Sequence, residues 1–170
     1  MVIKVKKILT LFVLLFLFGC ELGNTPTSKV EDLLSKYQML DEDISEEIEE
    51  VINKEGLTEE QRERYRKILE KQYKNMSYEV KDETEDGNTA TIKVEIEVID
   101  YKKIINELES EYQDRDYTLE EYNNEKLNRL ESAKDMVTYT IEFTVTKDDN
   151  DNWNVDSLTN VDRKKIQGMY

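Results

Sequence analysis

The sequence predicts an α+β domain, a curved antiparallel sheet of about four strands with helices packed on one face. Three observations predict it. Ala90, Ile92, Val94, Ile96 and Val98 alternate with Thr91, Lys93, Glu95 and Glu97. Val137, Tyr139, Ile141, Phe143 and Val145 alternate with Thr138, Thr140, Glu142 and Thr144. A period of two marks strands with one buried and one wet face. Before and between these runs, apolar residues recur at helical spacing, so the order reads helix, helix, hairpin, helix, helix, hairpin.

In chain order, Ser28 and Glu31 fit a capping box that opens a helix. Val30, Leu33, Leu34, Tyr37 and Leu40 form its stripe, and Ile44, Ile48, Val51 and Ile52 continue it. That helix runs through or bends near Asp41–Asp43. Gly56 closes a helical hairpin. Thr58 and Gln61 suggest a second capping box, followed by a stripe of Tyr65, Ile68, Leu69, Gln72, Tyr73 and Met76. Tyr78 and Val80 then alternate with polar residues.

Parity decides the first hairpin loop. A two-residue Asp86-Gly87 turn pairs Lys81 with Ile92 and puts Val80 on the face of Lys93. A three-residue loop, Glu85-Asp86-Gly87, pairs Val80 with Ile92 and Tyr78 with Val94, and gives Gly87 the left-handed position. The longer loop is expected. Tyr101, Ile104, Ile105, Leu108 and Tyr112 return to helical spacing. Thr118 and Glu121 cap a further helix carrying Leu119, Tyr122, Leu127 and Leu130. Lys147–Asn152 is a polar turn, and Trp153 and Val155 open a last strand expected to end near Leu158. The domain is thus 28–158, and 159–170 is a tail or a short helix.

The first nineteen residues have a different character. Lys4, Lys6 and Lys7 precede the apolar run Ile8–Phe18, which ends at Gly19-Cys20. A bilayer span needs about 20 apolar residues, so this run is too short for one and fits the core of a secretion signal. Leu17-Phe18-Gly19-Cys20 resembles the lipobox of bacterial lipoproteins, with Phe18 bulkier than the residue common there. The resemblance implies cleavage between Gly19 and Cys20 and lipid attachment on the Cys20 sulfur. Two or three acyl chains hold a protein stably on a membrane. The expected location is therefore the cell membrane, lipid-anchored and facing outside the cytoplasm. Residues 20–27 would be the lipidated tether.

Composition bounds the chemistry. Removing residues 1–19 takes away three lysines and no acid, which leaves 39 acidic and 21 basic residues and a formal charge of −18. Such a field disfavours nucleic acid. Cys20 is the single cysteine, and as an anchor it leaves no thiol for catalysis, metal or a disulfide. There is no histidine, and serines lack a neighbouring base. No catalytic residue, metal site or cofactor is expected. Asp148-Asp149-Asn150-Asp151-Asn152 invites comparison with a calcium loop, but Trp153 and Thr159 stand where such a loop needs glycine and glutamate. A hairpin turn accounts for the run. In Asp41–Glu50, Ile44 and Ile48 face inward and Glu46, Glu47, Glu49 and Glu50 are expected on the solvated face. Tyr78, Tyr101 and Tyr139 fall on buried phases and are the candidates for lining a ligand cavity.

The architecture resembles small lipoproteins of the nuclear transport factor two-like or cystatin-like fold, which share leading helices, a curved sheet and a closing hairpin with an aromatic after its turn, here Trp153. The expected function is a lipid-anchored binding or interaction domain whose partner is an envelope protein or a small ligand. The alternatives are a small enzyme or small-molecule carrier using carboxylates in the sheet cleft, and a structural or protective envelope lipoprotein.

Overall fold

The computed structural model describes residues 23–170. The expected signal segment, with Gly19 and Cys20, lies outside the described residues. The elements are α1 (Pro26–Met39), α2 (Glu42–Asn53), α3 (Glu59–Asn75), β1 (Ser77–Asp86), β2 (Thr89–Ile99), α4 (Tyr101–Tyr112), α5 (Leu119–Ser132), β3 (Met136–Lys147), β4 (Trp153–Val155) and α6 (Asn160–Ile166). The strands form one curved antiparallel sheet in the order β1-β2-β3-β4. This is the α+β class read from the alternating strands.

The helix starts follow from local chemistry. Thr25, not Ser28, caps α1: its hydroxyl accepts from Ser28 N at 3.1 Å, and Ser28 Oγ accepts from Thr25 N at 3.0 Å. Pro26 sits at the first position, where a missing N–H costs nothing. The helix therefore begins inside the segment read as a tether. Leu40 turns left-handed, at φ 54°, and Asp41 caps α2 by accepting from Ile44 N at 3.3 Å. The long leading stripe is thus two helices, and three helices precede the sheet. The Thr58–Gln61 and Thr118–Glu121 boxes form as expected.

The first hairpin differs from the expected register. Asp86 pairs with Thr89, so the loop is Gly87-Asn88, with Gly87 at φ 61°. Val80 opposes Val94 and Tyr78 opposes Ile96, because Lys81 forms a bulge between Val80 and Asp82. Shortening the loop by one residue and adding one to the strand leaves parity unchanged. Tyr78 and Val80 therefore keep the expected face while sliding two residues along β2. At the other end of the sheet, β4 stops at Val155 rather than near Leu158.

Ile92, Val94 and Ile96 of β2, and Ile141, Phe143 and Val145 of β3, are buried under the helices. Thr91, Lys93, Glu97, Thr140, Glu142 and Thr144 face out. The sheet's inner face is filled by this core, so the cleft expected against the sheet is not open there. Residues 159–170 join the same core: Thr159 and Asp162 cap α6, and Ile166 is fully buried.

Gln72 of α3 is fully buried at that junction. Its Nε2 donates to Ile99 O at 2.9 Å and to Gln167 O at 3.0 Å, and its Oε1 accepts from Ile99 N at 3.0 Å. Gly168, at φ 69°, lies so close that a Cβ there would stand 2.0 Å from Ile99 O and 2.3 Å from Gln72 Nε2. Gly168→Ala is expected to cost on the order of 3 kcal/mol or more, since both backbone strain and a backbone clash oppose it. Gly87→Ala, which meets no atom within 4 Å, should cost only about 1–2 kcal/mol from its left-handed φ. Urea denaturation midpoints of the two variants check this ranking.

Candidate functional site

A cleft of about 620 Å³ opens between α2 and α6. Its position follows from the chain. Asp41 ends the turn after α1 and starts α2, so the acidic residues of α2 present one wall. The C-terminal segment, held by Gln72, brings α6 opposite as the second wall. Asp43, Glu46, Glu47 and Glu50 line the first wall, with Val51 and Lys54. Asn160, Arg163, Lys164 and Gln167 line the second.

Glu47 is the centre of this arrangement. It was expected on the solvated face of α2, but its side chain is only 19% exposed. It stands three residues after Ile44, at the edge of the buried stripe, where Tyr37 of α1 reaches it. The Tyr37 hydroxyl donates to Glu47 Oε2 at 3.0 Å, and Arg163 Nε lies 3.6 Å from the same oxygen. Glu47 Oε1 is buried without a partner among the described residues. So is the hydroxyl of Tyr73, whose ring meets that of Tyr37 edge-on at 5.1 Å. Gln167 lies beside that hydroxyl without completing a hydrogen bond. Burial, then the Glu47 carboxylate, push the Tyr37 hydroxyl far above its ordinary pKa. Burial does the same to Tyr73.

The remaining charges of the cleft are unspent. Among the described residues, Glu46, Glu50, Lys54 and Lys164 form no ion pair, although acids and bases line one opening. Chemically, the cleft sets the carboxylates of α2 against Arg163 and Lys164 of α6, with Lys54 at the end of the acidic wall. Glu47 Oε1 is sealed from solvent without a partner among the described residues, which leaves a destabilised polar atom beneath the cleft wall.

The tyrosines singled out in the sequence do not meet in this cleft. Tyr78 and Tyr139 flank Ile96 across three strands of the sheet. The Tyr139 hydroxyl donates to Tyr170 O at 2.9 Å. Tyr101 is fully buried and donates to Ile68 O at 3.3 Å. The Asp148–Asn152 run is a turn held by its own first residue: Asp148 Oδ1 accepts from Asn150 N at 2.8 Å and Asn152 N at 3.0 Å. Those amide donors hold the Asp148 carboxyl below its ordinary pKa. In the sequence Tyr37 reads as part of the α1 stripe and Glu47 as part of a solvated acidic face, and nothing local joins either to Arg163, because each lies on a different helix.

No protein-family model and no curated protein matches the chain. Among solved structures the fold is similar to a candidate lipoprotein, YcdA of Bacillus subtilis, at 16% identity and a TM-score of 0.43. The match covers 73% of this chain and 44% of that one, so the chain spans less than half of that structure. No helix among the described residues is long and apolar enough to cross a membrane.

The buried tyrosines set a pH dependence. Burial pushes the Tyr101 hydroxyl up to about 12, and Tyr37, Tyr65 and Tyr73 are raised as well. An unfolded tyrosine ionises near pH 10, so the folded chain then holds protons that the unfolded chain has released. Stability from these groups is complete below about pH 10 and falls as pH rises toward about 12. Tyrosinate absorbance should therefore rise in two steps. The second step is expected to coincide with loss of far-ultraviolet circular dichroism.

Proposed function

We propose that this chain is a lipid-anchored extracytoplasmic domain that works by binding, and that its binding site is the cleft between α2 and α6. The observation that carries the site is one opening in which Glu46 and Glu50 of α2 face Lys164 of α6, none of them ion-paired among the described residues, beside the Glu47–Arg163 pair. The ligand class that fits carries both charges: an amino group for the Glu47 wall and a carboxylate for Arg163 and Lys164. A free amino acid, a short peptide or the exposed end of an envelope protein has that chemistry.

The anchor rests on Leu17-Phe18-Gly19-Cys20 following a basic start and a short apolar run. The leading helices, open antiparallel sheet and closing hairpin support reading the domain as nuclear transport factor two-like or cystatin-like. Membrane fractionation after labelling with radioactive fatty acid tests the anchor. The wild type should be labelled and sediment with membranes, and Cys20→Ser should be unlabelled and released. An unlabelled wild type overturns the lipid reading. In a second arm, diglycine is titrated into the full chain in detergent while backbone amides are followed by NMR. Shifts confined to α2 and α6, and lost in Glu47→Gln, support the site; unmoved α2 and α6 amides refute the dipolar ligand.

A further inference from the structure

Asn24 is fastened to the folded domain through both ends of its amide. Its Nδ2 donates to Asp151 O at 3.1 Å, and its Oδ1 accepts from Trp153 N at 3.0 Å. Trp153 is itself buried, and Lys147 places its ammonium 4.6 Å from the ring centre. The next residue, Thr25, caps α1. The chain is therefore part of the domain from Asn24 onward, and only Glu21, Leu22 and Gly23 separate Asn24 from Cys20. Four residue steps reach at most about 14 Å, even fully extended.

We infer that the β3–β4 turn, Asp148–Asn152, is the face this domain turns to the bilayer, and that the α2–α6 cleft opens at the opposite pole. The inference rests on Cys20 being the lipid attachment point. Helix α1 supplies the separation. Its fourteen residues rise about 21 Å from the Thr25 cap. Tyr37, in its last turn, is the residue that meets Glu47 in the cleft. The leash thus ends at one pole and the cleft sits at the other.

Electrostatics alone would not choose this pose. The turn carries Asp148, Asp149 and Asp151, which anionic headgroups repel, whereas α6 carries Arg163, Lys164 and Lys165. The leash overrides that preference. Repulsion between exposed charges is screened beyond about 8–10 Å in physiological salt, and the tether holds the turn near the surface whatever its sign. The pose leaves the cleft open to the exterior, where a dissolved ligand or a neighbouring protein can enter it.

The test uses the lipidated full chain. Acylation consumes Cys20, so a cysteine introduced at an exposed site is the single free thiol. Asn150→Cys and Glu46→Cys place a fluorophore on the turn and on the cleft rim. Each protein is reconstituted into phosphatidylcholine–phosphatidylglycerol vesicles bearing a headgroup energy acceptor. Fluorescence from the Asn150 position should be quenched about twofold more than from Glu46, given the ~21 Å length of α1 that runs from the tether end toward the cleft. Equal quenching, or stronger quenching at Glu46, overturns the orientation while sedimentation with vesicles leaves the anchor standing. Failure of both proteins to sediment overturns the anchor and the orientation together. Inserting twelve Gly/Ser residues after Leu22 should shrink the difference; a difference that persists unchanged shows that something other than the leash sets the pose, and overturns the argument.

Discussion

One buried amide, that of Gln72, is the constraint on which the rest of this structure depends. Its carboxamide joins three parts of the chain that are far apart in sequence: α3, the end of β2 and the C-terminal segment. A fully buried amide must find partners, since leaving them unmade costs roughly 1–3 kcal/mol for each group. Here both ends are satisfied by backbone groups, the N–H and C=O of Ile99 at the end of β2 and the C=O of Gln167 after α6. Lys102 N donates to Gly168 O at 2.8 Å and closes the same joint from the start of α4. The small size of Gly168 lets these backbones approach. Because the C-terminal segment is held there, α6 stands as a wall facing α2, and the space between them is the cleft.

Charge plays a different part around that joint. Three arginines of α3 and α5 reach acids on other helices. Arg66 binds Glu49 of α2, Arg64 binds Glu131 of α5, and Arg129 binds Glu111 of α4. These side chains are a quarter or more exposed, so each pair contributes at most about 1 kcal/mol. Their effect is to select which helix faces pack together within a strongly acidic surface. Among the described residues, Lys54 and Lys164, by contrast, have no such partners beside the acids of the cleft. What sets the cleft apart is that its acids and cations line one opening, from α2 and from α6.

The parts of the fold visible in the sequence are those with local signals. Alternation placed β2 and β3, and the Thr58–Gln61 and Thr118–Glu121 boxes placed two helix starts. The Thr25–Ser28 box was missed because serine, not glutamate or glutamine, closes it. The break at Leu40 was legible only as the bend near Asp41–Asp43, one of two readings, because the apolar stripe stays nearly in phase from Val30 to Ile52. The bulge at Lys81 preserves parity, so no pattern of side chains could reveal it. Gln72 was legible as a member of a buried stripe, but its partners are 27 and 95 residues away. The site was less legible for the same reason. Tyr37, Glu47 and Arg163 converge only after three helices pack, whereas Tyr78, Tyr101 and Tyr139, which periodicity marked as buried, serve the core and the sheet edge.

Native-state hydrogen exchange on Gln72→Leu tests most directly whether this one side chain holds the C-terminal wall in place. The leucine is close in size and keeps α3 apolar on that face. Amides of Lys102 and of Gln167, Gly168 and Met169 should exchange at least about tenfold faster, while Val94 and Ile96 in the middle of β2 keep their protection. Unchanged exchange across residues 164–169 would contradict the account. Uniform acceleration throughout the sheet would contradict it as well, because the amide would then serve general stability and not the placement of α6.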